Sequence, residues 1–467
     1  MFSFFKNSKI KQLSTGYKEE TLKYTKNVNE FRNEGMKTLW QEPVKTEAPI
    51  DTREKYVEEV YKIILEFNKN NKVKQLRELF PPQTEIFYSF TENKDTVGNI
   101  HKIVAISDDI FLVAVDEPRL LSEDNRIYYQ RNCYVYKNKK FHELKNVLDF
   151  GVCPQKKIIS YIKEDGIYLT NYHNDKEITY KPWAKEKVYF PDGSIAVNDC
   201  DLSNIFGDLY VPFSDGKKIL MGGYSFGLIL LELETNRRTL IFPDKQYYDE
   251  YIKDNPKKKG KPLKNILELW EFPMFHFSLS HNNQYIALGF QSSFHNLYDI
   301  NGNLIGSALP ISSYPHYAIF SQDDKQIAFN SCHFYNGGTI AVQLQEIQNN
   351  GNLEKQEDYE DYIELDTESR VYAAVSTSYG YIIGDAQGYI RARSYNGDHL
   401  WDDYLGFNIQ TMDITSDEKF LYVGTYKGIV YKIRLNSGTI DPYKIGNSTN
   451  YEEKRWMFWE ENNILEW

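Results

Sequence analysis

Gly384-Asp385-Ala386-Gln387-Gly388, followed by Asn396-Gly397, returns forty positions later as Gly424-Thr425-Tyr426-Lys427-Gly428, followed by Asn436-Ser437-Gly438. The four-residue spacing between the glycines and the eight-residue spacing on to the asparagine both survive the shift. Glycine supplies positive φ at no side-chain cost, and Asn-Gly or Asn-x-Gly closes a hairpin. Each copy therefore reads as a strand, a glycine-bearing turn, a second strand and a hairpin. Outward from these two copies the frame recurs with different fill at Gly223, Gly227 and Asn236, at Gly166 and Asn174, and at Gly289 with Asn301-Gly302. A polar turn precedes the apolar strand that leads to the first glycine: Ser214-Asp215-Gly216-Lys217, Ser280-His281-Asn282-Asn283 and Ser416-Asp417-Glu418-Lys419. Ser321-Gln322-Asp323-Asp324-Lys325 adds a sixth unit.

A unit of roughly forty to sixty residues with three or four antiparallel strands cannot bury both faces alone, so copies stack, and radial stacking makes a propeller. The expected fold is all-β, a seven-bladed β-propeller, with blades at about 100–145, 146–183, 184–243, 266–309, 314–348, 361–404 and 405–444. The first rests on strand patterns without the Gly/Asn frame, which leaves six or eight blades open. Three domains are expected: a helical N-terminal arm over 1–83, the propeller over 84–445 with a loop insertion at 244–265, and a Trp-rich C-terminal tail over 446–467 that packs on the propeller.

In the arm, Tyr56, Val60, Ile63, Ile64 and Phe67 keep one helix face, with Asp51 and Glu54 as a capping box and Pro81-Pro82 as the stop. A weaker helix is expected from about Lys18 to Leu39. The run Ile86-Phe87-Tyr88-Ser89-Phe90 is expected to pair as the outer strand of the last blade and close the ring.

The stretch from Tyr395-Asn396-Gly397-Asp398-His399-Leu400-Trp401 through Gly424 to Ile433 resembles the quinoprotein-type propeller repeat. Leu297-Tyr298-Asp299-Ile300-Asn301-Gly302 resembles the end of a WD40 blade. These resemblances imply blade geometry. The quinoprotein family would imply a pyrroloquinoline quinone and a calcium ion, often beneath adjacent cysteines. This chain has no adjacent cysteines and no matching calcium motif, so no cofactor is expected. Of the WD40 dipeptides, Gly-His does not occur, and the single Trp401-Asp402 lies beyond the hairpin turn.

Composition narrows the function. Aromatics make up 15% of the 467 residues, ample for a large strand-rich core. A net charge of −11 argues against nucleic-acid and anionic-membrane partners, which ask for a basic footprint. Cys133, Cys153, Cys200 and Cys332 are scattered, suggesting neither a disulfide framework nor a zinc site, so a reducing, cytoplasmic setting is expected. Met1-Phe2-Ser3-Phe4-Phe5 is too short for a signal-peptide core, although a form whose leader has been removed would read the same.

Catalytic constellations are weak. His276, His281, His295, His316 and His333 fall in blades four and five, but their positions suggest different ends of the blade, so no metal site is expected. Asp199, Asp201, Asp385 and Asp413 are nominal carboxylates for a channel hydrolase. The tail packs Trp456, Phe458, Trp459 and Trp467 into a short span. They are either buried against the body or anchors for a partner. Lys257, Lys258 and Lys259 in the insertion are further candidate partner-binding residues, a solvated loop being the plainer reading and a phosphate-binding patch the sharper one. The leading functional expectation is a non-enzymatic platform for a protein or peptide partner. The alternative is an enzyme or small-ligand receptor using the central channel as a hydrolase, lyase or quinoprotein-like oxidoreductase.

Overall fold

Ser280, Ser321 and Thr415 each open the same turn. The hydroxyl donates to the carboxylate or amide oxygen two residues on (Asn282, Asp323, Asp417) and accepts from the amide five residues on (Tyr285, Gln326, Phe420). The fourth residue of each turn, Asn283, Asp324 or Glu418, has a φ of 59°, 57° or 56°. The polar turns of the sequence are therefore one device used repeatedly, each introducing the second strand of a blade.

The structure, a computed structural model, describes residues 2–38, 41–83, 85–87, 98–120, 127–171, 176–202, 209–258, 271–334, 336–353, 362–460 and 463–467. Its strands form seven sheets, the blades of a seven-bladed β-propeller. Blade one contains Asn99–Ala105, Phe111–Leu120, Ile127–Lys137 and Lys140–Glu143, and blade two Asp149–Val152, Ile159–Lys163, Gly166–Asn171 and Lys176–Pro182. Blade three runs through Leu209–Pro212, Lys218–Gly223, Gly227–Glu232 and Arg238–Phe242, and takes its two outer strands, Lys185–Tyr189 and Ile195–Asp201, from the chain before it. Blade four has His276–Leu279, Tyr285–Gly289, His295–Asp299 and Leu304–Ala308, with Asn352–Leu353 added in parallel. Blade five has Tyr314–Phe320, Gln326–His333, Asn336–Gln343 and Ile363–Asp366. Blade six has Val371–Thr377, Gly380–Asp385, Tyr389–Ser394, His399–Tyr404 and Ile445–Gly446. Blade seven has Ile409–Ile414, Phe420–Thr425, Ile429–Arg434, Tyr451–Glu460 and Asn463–Glu466. Five described outer strands depart from the expected blade limits: Asn352–Leu353 joins blade four, Ile363–Asp366 belongs to blade five rather than six, Ile445–Gly446 joins blade six, and the Trp-rich tail is itself the outer pair of blade seven, Tyr451–Glu460 and Asn463–Glu466.

The chain divides into two compact units. The first comprises residues 1–130, 383–392 and 400–467. In it the first strand of blade one lies along that of blade seven, where the Ile103 amide donates to Thr411 Oγ1 at 3.2 Å and the Ala105 amide to Asp413 Oδ2 at 2.7 Å. The leading glycine of the repeat frame explains itself here. A Cβ at Gly424 would run into Ile100, and one at Gly384 into Ile409, so at both positions the glycine makes room for the first strand of the next blade. Of the outer strand expected at 86–90, Ile86 and Phe87 sit instead in a 310 turn, Glu85–Phe87, and residues 88–90 lie outside the described residues. The edge of Ile429–Arg434 is taken by Tyr451–Glu460 in antiparallel register, for example Val430 opposite Trp456.

The arm is helical, with α1 (Phe2–Lys37), α2 (Val57–Lys69) and α3 (Val73–Leu79). The capping box is not made. Asp51 instead accepts from the Arg53 amide and grips its guanidinium at 2.7–2.8 Å, and the following turn is 310. α1 is far longer than the apolar period suggested because its buried stripe is polar: Ser14, Tyr17, Thr21 and Thr25. Ser14 donates to the Leu79 carbonyl at 2.6 Å, Tyr17 to that of Pro81 at 2.9 Å, and Asn29 to that of Lys444 at 3.0 Å.

The second unit comprises residues 131–382 and 393–399. Its largest core joins apolar residues of blades two, three and four, among them Ile167, Leu220, Leu230 and Leu288. Neighbouring blades are also stapled through their polar turns. Asn283 Oδ1 accepts from the Ser214 amide, and the Asp324 carboxylate accepts from the amides of His281 and Asn282 at 2.7–2.9 Å. The 244–265 insertion, read as a loop, opens with a helix, α4 (Lys245–Asp254). Asp244 caps it by accepting from the Tyr247 amide, and Tyr248 and Tyr251 turn toward the core.

Candidate partner-binding face

Within a blade, the second strand runs into the third at one end, and because strands alternate in direction, the link from a fourth strand to the next blade leaves from that same end. In the second unit this end gathers the turns after Gly223, Gly289 and His333, the links 309–313 and 367–370, and the insertion that begins at Pro243. Hydrogen bonds confirm the grouping: the Phe272 amide donates to the Tyr224 carbonyl and the Gln291 amide to the Pro273 carbonyl, both at 2.8 Å. Beneath them Phe242, Phe272, Phe275, Phe290 and Tyr247 form an aromatic cluster, with Phe272 and Phe290 5.1 Å apart edge to face.

Among the described residues, Phe334 at 72% exposure, Phe294 at 40% and Ile311 at 39% leave this end for solvent, with Tyr224 at 42% in the turn after Gly223. Phe334 is the sharpest case. His333 pairs with Asn336, so Phe334 opens a two-residue hairpin connection, and its φ is 54°. That conformation suits asparagine or glycine, and a bulky residue there is uncommon. The flanking stretches Phe290-Gln291-Ser292-Ser293-Phe294 and Leu309-Pro310-Ile311-Ser312-Ser313-Tyr314 carry no charge.

Four of the histidines meet at this end, contrary to the expectation that they point to different ends. His276 and His295 begin the first and third strands of blade four, His316 lies in the first strand of blade five, and His333 closes its second. Only His281 belongs to the opposite end, in a polar turn where it contacts Asp324 at 3.1 Å. His276 Nδ1 bonds the Met274 carbonyl at 2.9 Å, and His295 Nε2 bonds Ser331 Oγ at 2.9 Å while its ring stacks on Phe329. Burial holds His276 down to about 4, and it pushes His295 well below the usual histidine range, aided by neighbouring His276. His316 is held down to about 3, first by burial and then by the positive charge of Arg370. These rings are neutral structural groups. Among the described residues no group of three or more His, Cys, Asp or Glu side chains is placed to hold a metal ion.

His316 is instead the base of a short relay. Its Nδ1 donates to the Val371 carbonyl at 2.6 Å, and its Nε2 accepts from Arg370 Nε at 3.1 Å. Arg370 Nη1 then donates to the Phe334 carbonyl at 3.1 Å, and its guanidinium lies 4.9 Å over the Tyr372 ring. The strained turn is thus held by a cation fixed from below.

The residues singled out in the sequence lie elsewhere or serve the scaffold. Trp456, Phe458, Trp459 and Trp467 are buried in the first unit and present no ring to solvent as placed. Trp459 donates to the Lys427 carbonyl at 2.7 Å and Trp467 to that of Phe80 at 2.8 Å. Lys257 is exposed in a 310 turn, Pro256–Lys258; the side chain of Lys258 and all of Lys259 lie outside the described residues. Asp385 accepts from the amides of Gln387 and Tyr389, both at 2.9 Å, and pairs with Arg391; Asp413 is spent on the junction with blade one. Both are backbone supports. The side chains of Asp199 and Asp201 lie outside the described residues.

Sequence reasoning missed Phe294, Ile311, Phe334 and Arg370. The usable signal was a gap in the repeat: where blades three, four, six and seven carry a glycine at or next to the end of the second strand, blade five has His333-Phe334-Tyr335.

No protein-family model and no curated protein matches the chain. Among 1156 matching chains of solved structure is the crystal structure of the computationally designed Ika8 protein, 12% identical, with a TM-score of 0.41, covering 72% of this chain and 96% of that one.

Proposed function

We propose that this propeller is a non-enzymatic platform that docks a protein or peptide partner on the hairpin end of blades three to five. The observation that carries the reading is Phe334, a large apolar ring held out to solvent on a backbone conformation that disfavours it. Strain and exposure together are costs that folding alone does not ask for, and they gather where recognition does. Phe294 and Ile311 widen the surface, and Lys257, with Lys258 and Lys259 next to it in the chain, extends the insertion that leaves from the same end. A cytoplasmic setting is supported by four cysteines that are all buried and form no disulfide with one another. No described helix is long and apolar enough to cross a membrane.

The test is affinity purification of the tagged full-length protein from its native cell, beside the variant Phe334→Asn. A stoichiometric partner retained by the parent and lost by the variant supports the reading. Equal retention by both moves the interface away from this end and overturns it.

A further inference from the structure

Arg370 gives the proposed face a chemical preference. Its guanidinium is fixed by Nε on His316, by Nη1 on the Phe334 carbonyl and by the Tyr372 ring beneath it. Among the described residues, no carboxylate pairs with Arg370 and Nη2 has no hydrogen-bond partner; the atom is not sealed from solvent either. The outer edge of the fork, Nη2 with the second proton of Nη1, is therefore a preset donor pair beside the most exposed apolar ring of the face. An arginine so held has lost its rotamer freedom in advance, which removes much of the cost of binding an anion. The stretches 290–294 and 309–314 add no charge, and the exposed Glu368 on the link that carries Arg370 makes no ion pair with it among the described residues.

We infer that the partner segment carries one carboxylate next to an apolar side chain, the carboxylate taken by the Arg370 fork and the apolar group packed on Phe334. This rests on the docking reading above. A carboxylate matches the fork in both geometry and charge, since two parallel N–H donors meet two oxygens and one positive charge meets one negative.

The full-length protein is used to select from a displayed random-peptide library, and the enriched peptide is measured by fluorescence anisotropy. The expected sequences hold Asp or Glu adjacent to Leu, Phe or Trp. Arg370→Gln should weaken binding about tenfold or more, and so should replacing the peptide's own acid by its amide, a measurement that leaves the protein untouched. Arg370→Lys, which keeps the charge without the planar fork, should recover only part of the loss. Enriched peptides that lack an acid, bind Arg370→Gln as well as the parent and still lose affinity with Phe334→Asn overturn this inference and leave the docking reading standing. Peptides that bind Phe334→Asn undiminished, or no enrichment at all, overturn both.

Discussion

Holding Phe334 at a φ of 54° costs the backbone on the order of 1 kcal/mol that asparagine would not incur. Its ring recovers little of this, being 72% exposed. Phe334→Asn should therefore raise stability by roughly 0.5–1 kcal/mol, read as a higher denaturant midpoint at unchanged slope. A lower midpoint would mean that the ring packs into the fold rather than being held out of it, and the case for a recognition residue would lose its main support. Gain of stability with loss of binding is the pattern expected where one side chain is kept for a partner.

At the scale of elements, the outer edge of blade seven decides whether the tail is scaffold or anchor. Trp459 has its indole N–H on the Lys427 carbonyl and its ring 5.8 Å from Phe87 and 6.4 Å from Tyr61, so one side chain ties blade strand, 310 turn and α2 together. Trp459→Ala should cost about 3–5 kcal/mol, measured by chemical denaturation of the full chain. A cost below about 1 kcal/mol would show that the tail can leave its place, and would reopen it as a partner anchor. The tail's apolarity was plain in the sequence, but its partner strand was not. Ile86-Phe87 alternates as well as Arg455-Trp456-Met457 does, and pattern alone cannot say which segment reaches the open edge. α1 eluded the same logic, since Ser14, Thr21 and Thr25 bury a face that carries no hydrophobic period.

For the whole molecule, the glycine and asparagine frame with its polar turns marked six of the seven blades, because closing a hairpin and making room for the next blade both demand particular residues; the first blade rested on strand pattern alone, so the sequence left six or eight blades open. The docking face was hidden for the converse reason. Phe334 stands where the rule is broken, and no rule specifies what replaces a missing glycine. The buried histidines were misplaced because which end a residue faces depends on strand direction, fixed only once the blades are assembled. Their collective effect is a property of the whole fold. In the unfolded chain each titrates near 6.5, whereas in the fold His276 titrates at about 4, His316 at about 3 and His295 well below its usual range. Between these limits the unfolded chain binds up to three more protons than the folded one, so stability rises with pH across the window and falls on acidification. Their contribution is whole above about pH 6.5, declines toward pH 4 with a limiting slope of about 4 kcal/mol per pH unit, and flattens below the folded values. Denaturant midpoints at a series of pH values from 7.5 to 4.5 should trace that fall, and replacing His295 by leucine should make it shallower by about one proton's slope. A midpoint independent of pH across the window would mean that the three rings are already protonated or solvated in the fold, and the neutral His316 that accepts from Arg370 would have to be abandoned.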